Sequence, residues 1–195
     1  MAGGRPREFD VEVALDQAVR VFWQRGYEGA ALSDLTEAMG INRPSLYAAF
    51  GNKESLFRKA LERYTDRQAV HVRDALGCPT ARAAAERMLR GAVEVSTQAD
   101  CPAGCLSLQA GLAMSEDAVA TRERLADWRR TGEAGLRERF ERARDEGDLP
   151  AGTDPGDLAK FVVAVAQGIS VQAADGVGRE QLHRLVDLAL TAWPA

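Results

Sequence analysis

The chain lacks any apolar run approaching the roughly 20 residues that a membrane-spanning helix needs, and its N-terminus is Arg-rich without the apolar stretch of a secretion signal. The protein is therefore expected in the cytoplasm, with no membrane partner. Cysteine is scarce: Cys78, Cys101 and Cys105 are the only three in 195 residues, too few for the disulfide framework of a small secreted domain. Histidine is scarcer still. His71 and His183 stand far apart, and neither joins the cysteines at metal-ligand spacing, so no metal site is expected. A nucleophile elbow, a phosphate loop and a paired metal motif are missing too, and both histidines fall on charged helix faces. These gaps argue against an enzyme and imply no cofactor.

A basic excess is also absent. The whole chain carries −4, but the acidity is uneven: residues 1–75 hold 11 Lys or Arg against 11 Asp or Glu, leaving 14 against 18 for the rest. Within the balanced part, Ala38 to Lys53 contains Arg43 and Lys53 and no acid. The arm Gly3-Gly4-Arg5-Pro6-Arg7 is basic and too rich in Gly and Pro to be helical. Positive charge is thus confined to small patches.

What is present is helical periodicity throughout, in a composition of 46% hydrophobic and 28% charged residues typical of a soluble protein. Asp10 caps a helix with stripe Val11, Ala14, Leu15, Ala18 and Phe22, which Gly26 stops. Ser33 is expected to cap a short helix carrying Leu35, Ala38 and Met39, with Gly40 supplying the left-handed residue that ends it. Asn42 caps the next, with Pro44 in its first turn and Leu46 and Phe50 on its inner face. Gly51 ends that helix and Asn52 caps a longer one from Lys53 to about Ala75. Thr80 starts a helix through Ala84, Met88, Leu89 and Val93. An apolar segment spans Leu106 to Met114, and Ser115 caps a long charged helix to Arg144. Two final helices cover about Asp157 to Ala174 and Arg179 to Trp193. No segment alternates as a strand does, so the fold is expected to be all-α.

Two short helices separated by a tight turn, Ser33 to Lys53, have the layout of a helix-turn-helix followed by a further helix start. Arg43, Ser45, Tyr47 and Ala48 are left for the exposed first part of the second helix. Helix starts at Asn42 and Asn52 present unpaired backbone donors and positive dipole ends, chemistry suited to phosphate. The layout implies binding to a DNA duplex.

From Phe9 to about Leu61 the chain resembles the DNA-binding domain of the tetracycline-repressor (TetR) family, with INRPSLYAAFGNKESLF where that family has its recognition helix and the start of its fourth helix. The resemblance covers about the first third of the chain. It implies an N-terminal three-helix helix-turn-helix DNA-binding domain over 9–52 after a flexible basic arm, 1–8. A connecting helix, 53–78, then leads to a C-terminal helical effector-binding and dimerisation domain, 79–195.

By the same resemblance, Arg43, Pro44 and Ser45 touch bases and phosphates, Tyr47 binds a phosphate, and Ser33 and Lys53 clamp the backbone on either side. The planar fork of Arg43 suits a guanine edge. Many relatives carry His and Tyr where this chain has Ala48 and Ala49, so fewer polar groups reach the groove, and Ala48 is suited to a thymine methyl. Arg5 and Arg7 are candidates for a neighbouring minor groove, or for a merely solubilising arm.

In similar proteins the last two helices pair with their copies in a four-helix homodimer interface. Here the residues expected in it are Phe161, Val165, Ile169, Leu182, Leu185, Val186 and Ala189. A dimer implies a palindromic double-stranded operator. The resemblance also implies a repressor released by a small-molecule effector held among the C-terminal helices. Met88, Leu108, Leu112, Met114, Trp128 and Phe161 are candidates to line its pocket, with Gln109 as polar contact, although ordinary core is the commoner role for each. Two alternatives stand beside this reading: a helical dimeric protein-interaction module, and a thiol-based redox-sensing regulator using Cys101 and Cys105, of which Cys105 precedes a helix.

Overall fold

A computed structural model describes residues 9–112 and 119–194, and every regular element among them is an α-helix. The Asp10 carboxylate accepts from the amides of Glu12 and Val13 at 2.8 and 3.3 Å and starts α1 (Val11–Gly29). Gly26 breaks helical geometry with φ 68° and ψ 177°, after which the chain makes one more short turn.

The following helix, α2 (Leu32–Met39), corrects one expectation. Its N-cap is Ala31, and Ser33 lies inside its first turn. The cap bond comes from within the helix: Asp34 Oδ2 accepts from the Ala31 amide at 3.1 Å and from Arg25 at 2.7 Å. Starting earlier also seats Leu32 on the same face as Leu35 and Met39, whose burial decides the boundary. Gly40, at φ 64°, ends the helix in the left-handed region that glycine adopts without strain.

Asn42 Oδ1 accepts from the Ser45 amide at 2.9 Å and opens α3 (Arg43–Phe50). Asn52 does the same for Ser55 at 2.7 Å and opens α4 (Lys53–Leu76). Thr80 caps α5 (Ala81–Ser96). Then come α6 (Leu106–Leu112), α7 (Val119–Asp145), α8 (Pro155–Ala174) and α9 (Arg179–Thr191). α8 begins two residues before the expected Asp157, capped by Asp154, which accepts from Gly156 and Asp157 at 2.8 and 2.9 Å. Ser115 lies outside the described residues.

Two buried clusters organise these helices. The first gathers Phe22, Leu35, Leu46, Leu56 and Phe57 from α1 to α4, with Phe22 edge-on to Phe57 at 4.8 Å and Trp23 edge-on to Tyr64 at 4.9 Å. Each such side chain contributes about 1.5–3 kcal/mol relative to exposure. Leu106 and Ala110 of α6 and Leu125 of α7 join this same cluster, so the helix-turn-helix head is seated directly on later elements. The second cluster holds Leu89, Val93, Leu136, Phe140, Val162, Ile169, Leu182 and Val186 from α5, α7, α8 and α9.

α4 belongs to both halves. Polar braces tie it back to α1, where Arg63 and Arg67 donate to Asp16 at 3.0 and 2.8 Å and Arg63 also reaches Glu12. Among the described residues no helix is long and apolar enough to cross a membrane.

Candidate nucleic-acid interface and internal cavity

The first turn of α3 is held open to solvent by what lies behind it. Leu46 and Phe50 are buried in the first cluster and fix the helix's rotation, which leaves Arg43, Pro44, Tyr47 and Ala48 exposed on the far side. Arg43 and Tyr47 stand four residues apart, as do Pro44 and Ala48, so all four share one outward surface. Ser45 is half-buried, its amide already bonded to Asn42. Ala49 turns inward and packs on the core, so only Ala48 of the alanine pair faces out.

Lys53 opens α4 where the helix dipole favours an anion. Its Nζ lies over the Tyr27 ring, 4.7 Å from the centroid. Ser33 is exposed in the first turn of α2. The surfaces of α2, α3 and the start of α4 thus carry the expected side chains, while Arg5 and Arg7 lie outside the described residues.

A cavity of about 530 Å³ opens among α4, α5, α7 and α8. A volume of that size and a mostly apolar wall are those of a small-molecule site. Met88, Leu108 and Trp128 line it, as the sequence suggests. Two candidates do not: Phe161 faces away from it on α8, and Gln109 turns toward Gly104. The Leu112 side chain and all of Met114 lie outside the described residues.

Sequence reasoning missed other wall residues, among them Tyr64, Gln68, His71, Val95 and Gln167. One signal was available: Gly91 and Gly132 lie inside helices, where glycine costs stability, and each leaves room on the cavity wall.

One corner of the cavity is polar. Tyr64 Oη donates to Cys105 Sγ at 3.3 Å, and Ser107 Oγ lies 3.0 Å from the same sulfur. Burial, with Cys105 adjacent, pushes the Tyr64 phenol far above its ordinary value, so Tyr64 is a neutral donor at physiological pH. Gly104 fixes this corner. Its φ is +89°, its amide donates to Ser96 O at 3.0 Å, and a Cβ there would stand 2.7 Å from Gln109 Nε2 and 3.1 Å from Ser170 O.

The last two helices also depart from expectation. Ile169, Leu182 and Val186, assigned to a dimer interface, are buried in the chain's own second cluster and have no surface to offer a partner. Val165 and Ala189 are half-buried against that cluster. The opposite face is apolar and open: Phe161 is 38% exposed, Leu185 37%, and Val171 and Leu188, both unanticipated, 45% and 66%.

A helix-turn-helix with an outward α3, carried on a helical body with an internal cavity, defines the class of a DNA-binding regulator. Comparison with known proteins gives the family. Residues 14–60 match the model of bacterial regulatory proteins, tetR family, and residues 81–185 that of the tetracyclin repressor-like C-terminal domain. The HTH-type transcriptional repressor ComR of Escherichia coli K12 is 35% identical over 193 residues, covering 98% of this chain and 92% of ComR. A cysteine-substituted form of the TetR family transcriptional regulator CifR, solved with double-stranded operator DNA, superposes with a TM-score of 0.91 at 48% identity, over 97% of this chain and 100% of that one. A TetR regulator from Rhodococcus sp. RHA1 gives a TM-score of 0.65 at 44% identity, over 94% and 98%. The chain belongs to the TetR family of helix-turn-helix transcriptional regulators, a family of DNA-binding proteins and not of enzymes.

Proposed function

We propose that this regulator is a repressor that binds a palindromic operator as a homodimer and is released by a small molecule held in the internal cavity. The observation that carries the DNA-binding part is the outward first turn of α3, with Arg43, Pro44, Tyr47 and Ala48 exposed beside the start of α4. Arg43 reads a guanine edge, Ala48 contacts a thymine methyl, and Ser33, Ser45, Tyr47 and Lys53 hold phosphates. Arg5 and Arg7 extend this to the adjoining minor groove. The relatives' names support repression: ComR and the 37% identical BdcR of E. coli K12, which matches 54% of this chain, are both called transcriptional repressors.

The exposed apolar face of α8 and α9 supports dimerisation through Phe161, Val171, Leu185 and Leu188. The cavity supports the effector. Tyr64 stands both in its wall and in the head's core, so an occupant that displaces α4 or α6 biases the head, and a coupling of roughly 1–3 kcal/mol suffices for a switch. A reporter under a selected operator tests repression. Expression should fall when the protein is supplied and recover with Arg43→Ala; a reporter that rises instead makes the protein an activator.

A second reading has its own support, since Cys105 is on the cavity wall with Tyr64 donating to its sulfur. In this reading hydrogen peroxide transfers one oxygen to the Cys105 sulfur as its O–O bond breaks, giving a sulfenic acid and one water, with Cys101, packed on the same cluster, as the second thiol. Mild peroxide should then abolish operator binding by the native protein and spare Cys105→Ser. Equal loss in both would remove Cys105 from the account.

A further inference from the structure

Tyr27 belongs to α1 and not to the helix-turn-helix, yet its ring meets the first residue of α4. The break at Gly26 makes this contact available. Nothing stands within 4 Å of a Cβ built at Gly26, so the constraint there is its φ of 68° alone. The turn that follows lays the Tyr27 ring beside Phe22 and Phe57, with centroids 6.4 and 5.1 Å away. One side of the ring is left under Lys53 Nζ, 4.7 Å from the centroid.

An ammonium is attracted to the negative face of an aromatic ring. Among the described residues Lys53 makes no ion pair, so the ring is what restrains its amine. A lysine side chain otherwise loses rotamer entropy when ordered at a contact, and restraint before binding removes part of that cost. Burial, and after it the charges of Glu54 and Glu28, push the Tyr27 phenol up, which keeps the ring neutral.

We propose that Tyr27 is a positioning residue for operator binding, its ring holding the Lys53 ammonium at the start of α4, where a DNA phosphate sits. This rests on the reading of Lys53 as a phosphate contact.

A double-mutant cycle tests both layers separately, using fluorescence anisotropy with a labelled duplex carrying the site selected from a random pool. Lys53→Met should weaken binding and flatten its salt dependence. Tyr27→Leu should weaken binding by about five- to twentyfold per dimer, through two copies of the contact. In the Lys53→Met background the same change should cost less than about twofold, and Tyr27→Phe should stay within about twofold of the native protein, because the ring face is kept.

Equal losses from Tyr27→Leu in both backgrounds would make Tyr27 a packing residue only and overturn the proposal. An inert Lys53→Met would overturn the phosphate reading beneath it, a distinct result. Should Tyr27→Leu fail to fold, pentafluorophenylalanine at position 27 keeps the shape and removes the negative face. Its affinity must then fall as Tyr27→Leu was expected to, and native affinity would sink the idea.

Discussion

Arg43 stands exposed at the first position of α3, backed by the Asn42 cap and the buried Leu46. Its replacement by Ala should cost roughly 1–3 kcal/mol of operator affinity and relax preference at one base pair per half-site. Mobility shifts with a panel of single-base variants check this, and an unchanged preference would remove the assignment. Gly104 makes a different prediction. Gly104→Ala must adopt a left-handed φ and press against Ser170 O, so stability should fall by about 1–3 kcal/mol in urea unfolding. The exposed place of Arg43 at a helix start was legible, because the Asn42 cap and the inward Leu46 and Phe50 are local signals. The Tyr64, Cys105 and Ser107 corner was not. Those residues lie on α4 and around the start of α6, and only tertiary packing brings them together.

At the scale of elements, the helix starts at Asp10, Asn42, Asn52 and Thr80 were readable because each cap bonds to backbone two or three residues away. The start of α2 was not, because its cap bond comes from Asp34 inside the helix while Ser33 stood where a cap is commonly found. Ala31→Asp should therefore add about 0.5–1 kcal/mol by supplying the missing cap, read as a higher midpoint of thermal unfolding.

The brace between α1 and α4 carries a pH dependence. Burial pushes the Asp16 carboxyl up, but hydrogen bonds and charge from Arg63 and Arg67 outweigh it and hold the group below its ordinary 3.8. A folded-state value below the unfolded one contributes stability that is present above about pH 4 and lost as pH falls through the folded value. Asp16 is one-third exposed, so the contribution is under about 1 kcal/mol. Asp16→Asn should lower stability at pH 7, and the gap to the native protein should close below about pH 4.

The whole molecule was legible in outline, an all-α head on a helical body, because helical periodicity and turn glycines are local signals. Which face of α8 looks outward was not legible. Both Ile169 and Phe161 are apolar, and only packing on α5 and α7 puts the first inside and leaves the second out. The difference is testable. Leu188→Glu should leave folding intact while shifting the protein from dimer to monomer in sedimentation and weakening operator binding. Leu182→Glu buries an unpaired charge in the second cluster and should unfold the body.

The most direct test of operator recognition by a two-fold dimer is selection of bound duplexes from a random DNA pool. The account predicts enrichment of one palindromic site whose half-sites are spaced for two α3 helices on one face of the duplex, with a guanine in each half-site whose preference is lost in Arg43→Ala. Recovery of no enriched sequence, or of a single unpaired half-site bound by a monomer, would contradict it.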